Sequence, residues 1–229
     1  DTQDIAVTVT NVNEAPVITS NGSGTTAAVN VAENSTTVTT VTSTDVDASA
    51  TATYSIVGGA DQSKFVIDAS TGALSFASAP NYESPTDSGT NNVYDVTVRV
   101  SDGTLTDTQD IAVTVTNVNE APVITSNGGG ATATPISVAE NSTTVTTVTS
   151  TDVDASATAT YSISGGVDAA KFNINSSTGE LTFKTGPNYE SPTDSGANNV
   201  YDVQVQVSDG TLTDTQDIAV TVTNVNEAP

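Results

Sequence analysis

The sequence predicts an all-β chain made of tandem seven-stranded Greek-key, Ig-like β-sandwiches. Three observations predict it. A sixteen-residue string, DTQDIAVTVTNVNEAP, stands at residues 1–16, again at 107–122 and again at 214–229. Letter-for-letter recurrence at domain spacing marks a tandem array. Apolar residues alternate with polar ones in short runs rich in Val and Thr, the pattern of half-buried strands. Gly, Asn, Asp, Ser and Pro punctuate those runs, as turns do in a sandwich.

The array divides at the prolines of the repeated string. Residues 1–16 read as the last strand and linker of a preceding module, 17–122 as module 1, and 123–229 as module 2 with a trailing linker. The second module is one residue longer, because GSGTTAAVNVAEN becomes GGGATATPISVAEN. In module 1, Val17-Ile18-Thr19 is a short strand broken by residues 21–24. Val29 to Ala32 resumes it as an edge strand ending at Glu33-Asn34. Val38 and Val41 mark the second strand, Tyr54 and Ile56 the third, Phe65 and Ile67 the fourth. Gly72 closes a turn suited to positive φ, and Leu74 and Phe76 make the fifth. A long polar loop, residues 80–92, crosses over. Tyr94, Val96, Val98 and Val100 face the core from the sixth strand, Asp102-Gly103 turns the chain, and Leu105 to Val115 is the seventh. Tyr54, Phe65, Phe76 and Tyr94 fall on buried positions. Module 2 repeats the pattern.

There are 27 acidic residues against four basic ones, a net charge of −23. Nucleic acid and anionic membranes need clustered Lys and Arg, so both are poor partners. No apolar run reaches membrane-spanning length, so direct insertion is not expected. Cys, His, Met and Trp are absent, which removes disulfides, thiolate or imidazole metal sites, and nucleophile–base pairs. The expectation is that this is not an enzyme. Oxygen ligands remain, and these suit a hard cation such as Ca2+.

Many acids sit at strand ends: Glu33, Asp45, Asp47, Glu83 and Asp102 in module 1. Glu33 and the Asn81-Tyr82-Glu83 loop are expected near the trailing linker, and Asp45, Asp47 and Asp102 near the leading one. Carboxylates gathered at a joint repel each other unless a counter-ion joins them. Asp87-Ser88-Gly89-Thr90-Asn91-Asn92 reads as an Asx turn, with an ion loop inside the module as its alternative.

These pieces, in this order, resemble a cadherin repeat of the bacterial cadherin-like form. They are Val31-Ala32-Glu33-Asn34, Asp45-x-Asp47, Tyr54-Ser55-Ile56, Ser70-Thr71-Gly72, Asn81-Tyr82-Glu83, Ser101-Asp102-Gly103 and Asn117-Val118-Asn119-Glu120-Ala121-Pro122. The resemblance implies a cadherin-type sandwich and calcium at the linkers. At the central joint it implies ligands from Glu33, Asn81, Glu83, Asn117, Asn119, Glu120, Asp152, Asp154 and Asp209, with carbonyls from Val118 and Ala121. At the leading joint it implies Asn11, Asn13, Glu14, Asp45, Asp47 and Asp102. At the trailing joint it implies Glu140, Asn188, Glu190, Asn224, Asn226 and Glu227. Asn117 and Glu120 replace the usual aspartates, Ala121 replaces asparagine and Asn81 replaces an acid. The loop between Asp154 and Tyr161 lacks the usual Gly-Asn. The implied role is a calcium-rigidified structural or adhesive array, extracellular or on a cell surface, within a large adhesin. Its partners are the neighbouring modules, with homophilic contacts or surface carbohydrate left open. A carbohydrate-binding module using Tyr82, Tyr189 or the 80–92 loop, and a calcium-free spacer, are the alternatives.

Overall fold

A computed structural model describes residues 1–47, 51–154 and 157–228. The final proline of module 2 and part of the loop between Asp154 and Tyr161 lie outside the described residues. The chain forms two compact units, residues 1–118 and 119–229, divided inside the repeated Asn-Val-Asn-Glu corner. Among the described residues all regular structure is β, apart from three short 3-10 turns.

Unit 1 contains β1 (Val17–Ile18), β2 (Thr26–Ala32), β3 (Thr37–Thr40), β4 (Ser43–Thr44), β5 (Thr53–Gly58), β6 (Phe65–Ile67), β7 (Ala73–Phe76), β8 (Val93–Ser101) and β9 (Thr106–Thr116). One sheet has the order β2-β9-β8-β5 and the other β3-β7-β6, with β1 pairing β4. The opening strand thus divides its pairing. β1 lies antiparallel to β4, and β2 then runs parallel to β9. β4 is only two residues long and falls where the sequence pattern predicts the loop after the second strand. Leu105 lies in the turn rather than in the last strand and is 37% exposed.

Period-2 alternation produces the core. Val96, Val98 and Val100 of β8 and Ile111, Val113 and Val115 of β9 are all buried. Their partners come from the second sheet. Phe65 and Phe76 stack at 4.7 Å between ring centroids, and Tyr94 meets Phe76 edge-on at 5.2 Å. Such aromatic pairs add roughly 0.5–1.5 kcal/mol to the gain from area burial. Polar residues of the repeated string hold the strand break. Gln109, fully buried, donates through Nε2 to the Gly24 carbonyl at 2.8 Å, and Asp107 accepts the Ile18 backbone N–H at 2.8 Å.

Unit 2 contains β10 (Val123–Ile124), β11 (Ile136–Ala139), β12 (Thr144–Thr147), β13 (Ser150–Thr151), β14 (Thr160–Gly165), β15 (Phe172–Ile174), β16 (Glu180–Phe183), β17 (Val200–Ser208) and β18 (Thr213–Thr223). Its sheets repeat the topology, β11-β18-β17-β14 and β12-β16-β15. The parallel edge strand is shorter here. Upstream of β11 only an isolated Thr132–Asp217 bridge continues the ladder. Pro135 offers no N–H to extend it.

The Asp87 loop closes as a turn. Asp87, 4% exposed, accepts the backbone N–H groups of Gly89, Asn91 and Asn92 at 3.0, 2.9 and 3.1 Å. Asp194 does the same for Gly196, Asn198 and Asn199. Burial pushes the Asp194 carboxyl up, and these N–H groups outweigh it, leaving the carboxyl below its ordinary range. Replacing Asp87 with Ala strands those donors and is expected to cost about 1–3 kcal/mol in urea unfolding. Calcium stoichiometry should not change; loss of one bound ion would restore the ion-loop alternative.

Candidate metal centre at the module poles

In unit 1 the last strand sets the two poles. β9 has eleven residues, so it runs roughly 36 Å at about 3.3 Å per residue. Asp102 precedes its start and Asn117 follows its end. At the leading pole, Asn11 Nδ2 donates to Asp47 Oδ1, and Asn13 Nδ2 donates to Asp102 Oδ2 at 2.7 Å. The Glu14 backbone N–H donates to Asp47 Oδ2 at 2.9 Å. Asp45 Oδ1 accepts the Asp47 N–H, while Asp45 Oδ2 is buried with no hydrogen-bond partner.

At the trailing pole of the same unit, Glu33 is 2% exposed. Its two oxygens accept the N–H groups of Val118 and Tyr82, both at 2.8 Å. Asn117 Nδ2 donates to Glu83 Oε1 at 3.0 Å. One carboxylate oxygen each from Glu33 and Glu83 lies within 4.8 Å of the other. Asn81 serves its own loop instead, its Oδ1 accepting the Ser84 N–H at 2.7 Å.

Unit 2 repeats both poles. At its leading pole Asn119 Nδ2 donates to Asp209 Oδ2 at 2.7 Å, and the Glu120 N–H donates to Asp154 Oδ2 at 2.9 Å. Asp152 Oδ1 accepts the Asp154 N–H, and Asp152 Oδ2 is again buried without a hydrogen-bond partner. At its trailing pole Glu140 accepts the N–H groups of Tyr189 and Val225, Asn224 Nδ2 donates to Glu190, and Asn141 Nδ2 donates to Glu227. Asn188 turns inward to the Ser191 N–H.

Hydrogen bonds hold several of these carboxyls below their ordinary range. The Asn11 amide and the Glu14 N–H do so at Asp47, where the Asp102 charge works the other way. The Leu105 and Thr104 N–H groups and the Asn13 amide lower Asp102. The Asn119 amide acts first at Asp209, followed by Leu212 and Thr211. The Val225 and Tyr189 N–H groups lower Glu140. A carboxyl depressed in the folded state adds stability above its unfolded pKa, about 3.9 for Asp. That stability is lost as pH falls through the lower folded value. The melting-temperature gap between the natural chain and Asp209→Asn should therefore be constant above about pH 5 and close below about pH 4. A gap that widens on acidification would contradict this assignment.

The donor set fits a hard cation. It is all oxygen, it is anionic, and each leading pole carries a buried carboxylate oxygen with no hydrogen-bond donor among the described residues. Calcium takes six to eight such oxygens. Sequence reasoning did not place Asn141 among the ligands, although its counterpart Asn34 closes the Val31-Ala32-Glu33-Asn34 motif. Nor did it single out Asp61, 4% exposed, whose carboxylate accepts the Ser88 and Asp95 N–H groups.

A family model described as Cadherin domain matches residues 27–118 and again 134–225. The chain belongs to the cadherin domain family. Cadherin domains are extracellular adhesive and structural modules rather than enzymes. Solved cadherin structures share the fold. Human protocadherin-24 EC1-2 is 19% identical with a TM-score of 0.59, covering 93% of this chain and 100% of that one. Human CDH23 EC21-23 is 18% identical with a TM-score of 0.52, covering 92% and 70%. Mouse cadherin-23 EC22-24 is 23% identical with a TM-score of 0.50, covering 92% and 65%. A 34-residue stretch is 56% identical to Halomucin of Haloquadratum walsbyi. That stretch is 15% of this chain and, in whole percent, 0% of the much longer relative.

Proposed function

We propose that the cadherin modules of this chain form a calcium-rigidified array, extracellular or on a cell surface, with Ca2+ held at the inter-module linkers. The observation that carries this is the buried, donorless Oδ2 of Asp45 and of Asp152. An unpaired buried carboxylate oxygen is costly, and a cation removes the cost. The linker asparagines suit this role in both states. With no ion, their Nδ2 groups donate to carboxylates, which offsets part of the repulsion. A half-turn of the amide replaces the donor with Oδ1, a calcium ligand. Module boundaries at Pro16 and Pro122 put one such linker on each side of module 1.

Isothermal titration of calcium into chelator-stripped protein tests the reading. Saturable binding should weaken at least tenfold in Asp152→Ala/Asp154→Ala. No binding at millimolar calcium would leave a calcium-independent spacer as the function.

A further inference from the structure

Each module carries a surface groove at the same place, between the β6–β7 hairpin (β15–β16 in unit 2) and the start of the polar crossover loop. The first is about 500 Å³ and includes Ser63, Lys64, Phe76, Asn81, Thr86 and Tyr94. The second is about 620 Å³ and includes Lys171, Phe183, Lys184, Asn188, Thr193 and Tyr201. Both volumes fall within the range of about 300–1,000 Å³ typical of small-molecule sites.

The charge of these grooves is unlike the rest of the chain. The molecule has 27 acidic residues, yet neither groove is lined by a single Asp or Glu. It has four basic residues, and three of them, Lys64, Lys171 and Lys184, line these two grooves. Among the described residues, these ammonium groups make one hydrogen bond, Lys184 Nζ donating to the Ala170 carbonyl at 2.9 Å. Grooves elsewhere on each module have the opposite character, lined by Asp95 and Asp110 in unit 1 and by Asp202 and Asp217 in unit 2.

We infer that each groove is a binding site for a carboxylated sugar unit of the uronic-acid class. Lys64 in the first module and Lys171 with Lys184 in the second take the carboxylate. The exposed hydroxyl and amide groups of Ser63, Asn81 and Thr86 supply the polar partners for ring hydroxyls. The net charge of −23 does not exclude an anion. At physiological ionic strength charges beyond about 8 Å are largely screened, and no carboxylate lines either groove. This site is separate from the linker poles and goes beyond the calcium reading.

The test is titration of trigalacturonate into the full two-module chain, in chelator, so that linker calcium plays no part. Failure here leaves the linker reading intact, and failure of calcium titration leaves this one intact. Expected are saturable binding, at least tenfold weakening in Lys64→Ala/Lys171→Ala/Lys184→Ala, and retained binding in Lys64→Arg/Lys171→Arg/Lys184→Arg, with unchanged melting temperature in both variants. The methyl-esterified trisaccharide should bind at least tenfold more weakly. The proposal is overturned by absent binding of the acid sugar, by equal binding of its ester, or by an alanine variant that binds like the natural chain. Binding of a sulfated neutral trisaccharide in place of the carboxylated one overturns the carboxylate assignment.

Discussion

Chelating calcium lowers the melting temperature of the two-repeat chain by about 10–20 °C, on the calcium reading proposed above. One site filled at a hundredfold excess over its dissociation constant adds about 2.7 kcal/mol, and each kcal/mol moves a domain of this size by about 4–8 °C. The same treatment should broaden the distance distribution in small-angle scattering. On that reading, removing the ion leaves the carboxylates it held to repel, and the asparagine amides supply neutral donors rather than charge. Asp152→Ala/Asp154→Ala should reproduce the chelated behaviour in saturating calcium. Identical melts and scattering with calcium and with chelator would end this reading.

Replacing Gly72 with Ala is expected to cost about 4 kcal/mol or more, the range where a specific steric cause is required. Gly72 has φ +72°, and a Cβ built there would stand 2.1 Å from the Val41 carbonyl oxygen. That approach is reciprocal, since the Val41 N–H donates to the Gly72 carbonyl at 2.8 Å. The neighbour is backbone and cannot rotate away. Gly103 is the control. Its φ is +103°, but a Cβ there would meet nothing within 4 Å. Alanine at Gly103 carries only the backbone strain, about 1–3 kcal/mol. Urea unfolding of the two variants separates strain from collision; losses within about 1 kcal/mol of each other would show that the turn yields. Gly179 faces Val148 at the same 2.1 Å, so module 2 gives an independent repeat.

Gly72 also illustrates what was legible in advance. Its place after Asp68-Ala-Ser-Thr marked a turn needing positive φ, and Asp68 does accept the Ser70 and Thr71 N–H groups. Nothing in that string said that Val41, thirty-one residues earlier, would pass against it. Glu33 is a similar case. Its position at the end of the first strand was readable from the motif. Its burial at 2% and its simultaneous grip on Tyr82 and Val118 depend on three segments meeting. Asn81 was grouped with Glu83 as one ligand pair. Within the loop its side chain spans only three residues, and the nearer Ser84 N–H takes it.

The sequence alone determined the repeat, the strand faces and the aromatic core, because alternation and identity are local properties of a chain. Period-2 placement of Tyr94, Val96, Val98 and Val100 left one face to bury. It also determined the chemistry on offer: oxygen ligands and almost no cations. Tertiary structure decided which oxygens meet and which stay without a donor. The two oxygens of Asp45 differ because one accepts the Asp47 N–H and the other is buried with no donor among the described residues. It also decided that Lys64, Lys171 and Lys184 share one kind of groove, since each groove gathers the turn before the hairpin (Ser63-Lys64, Ala170-Lys171), the stretch after it (76–86, 183–193) and Tyr94 or Tyr201, which adjoin only in the folded sandwich.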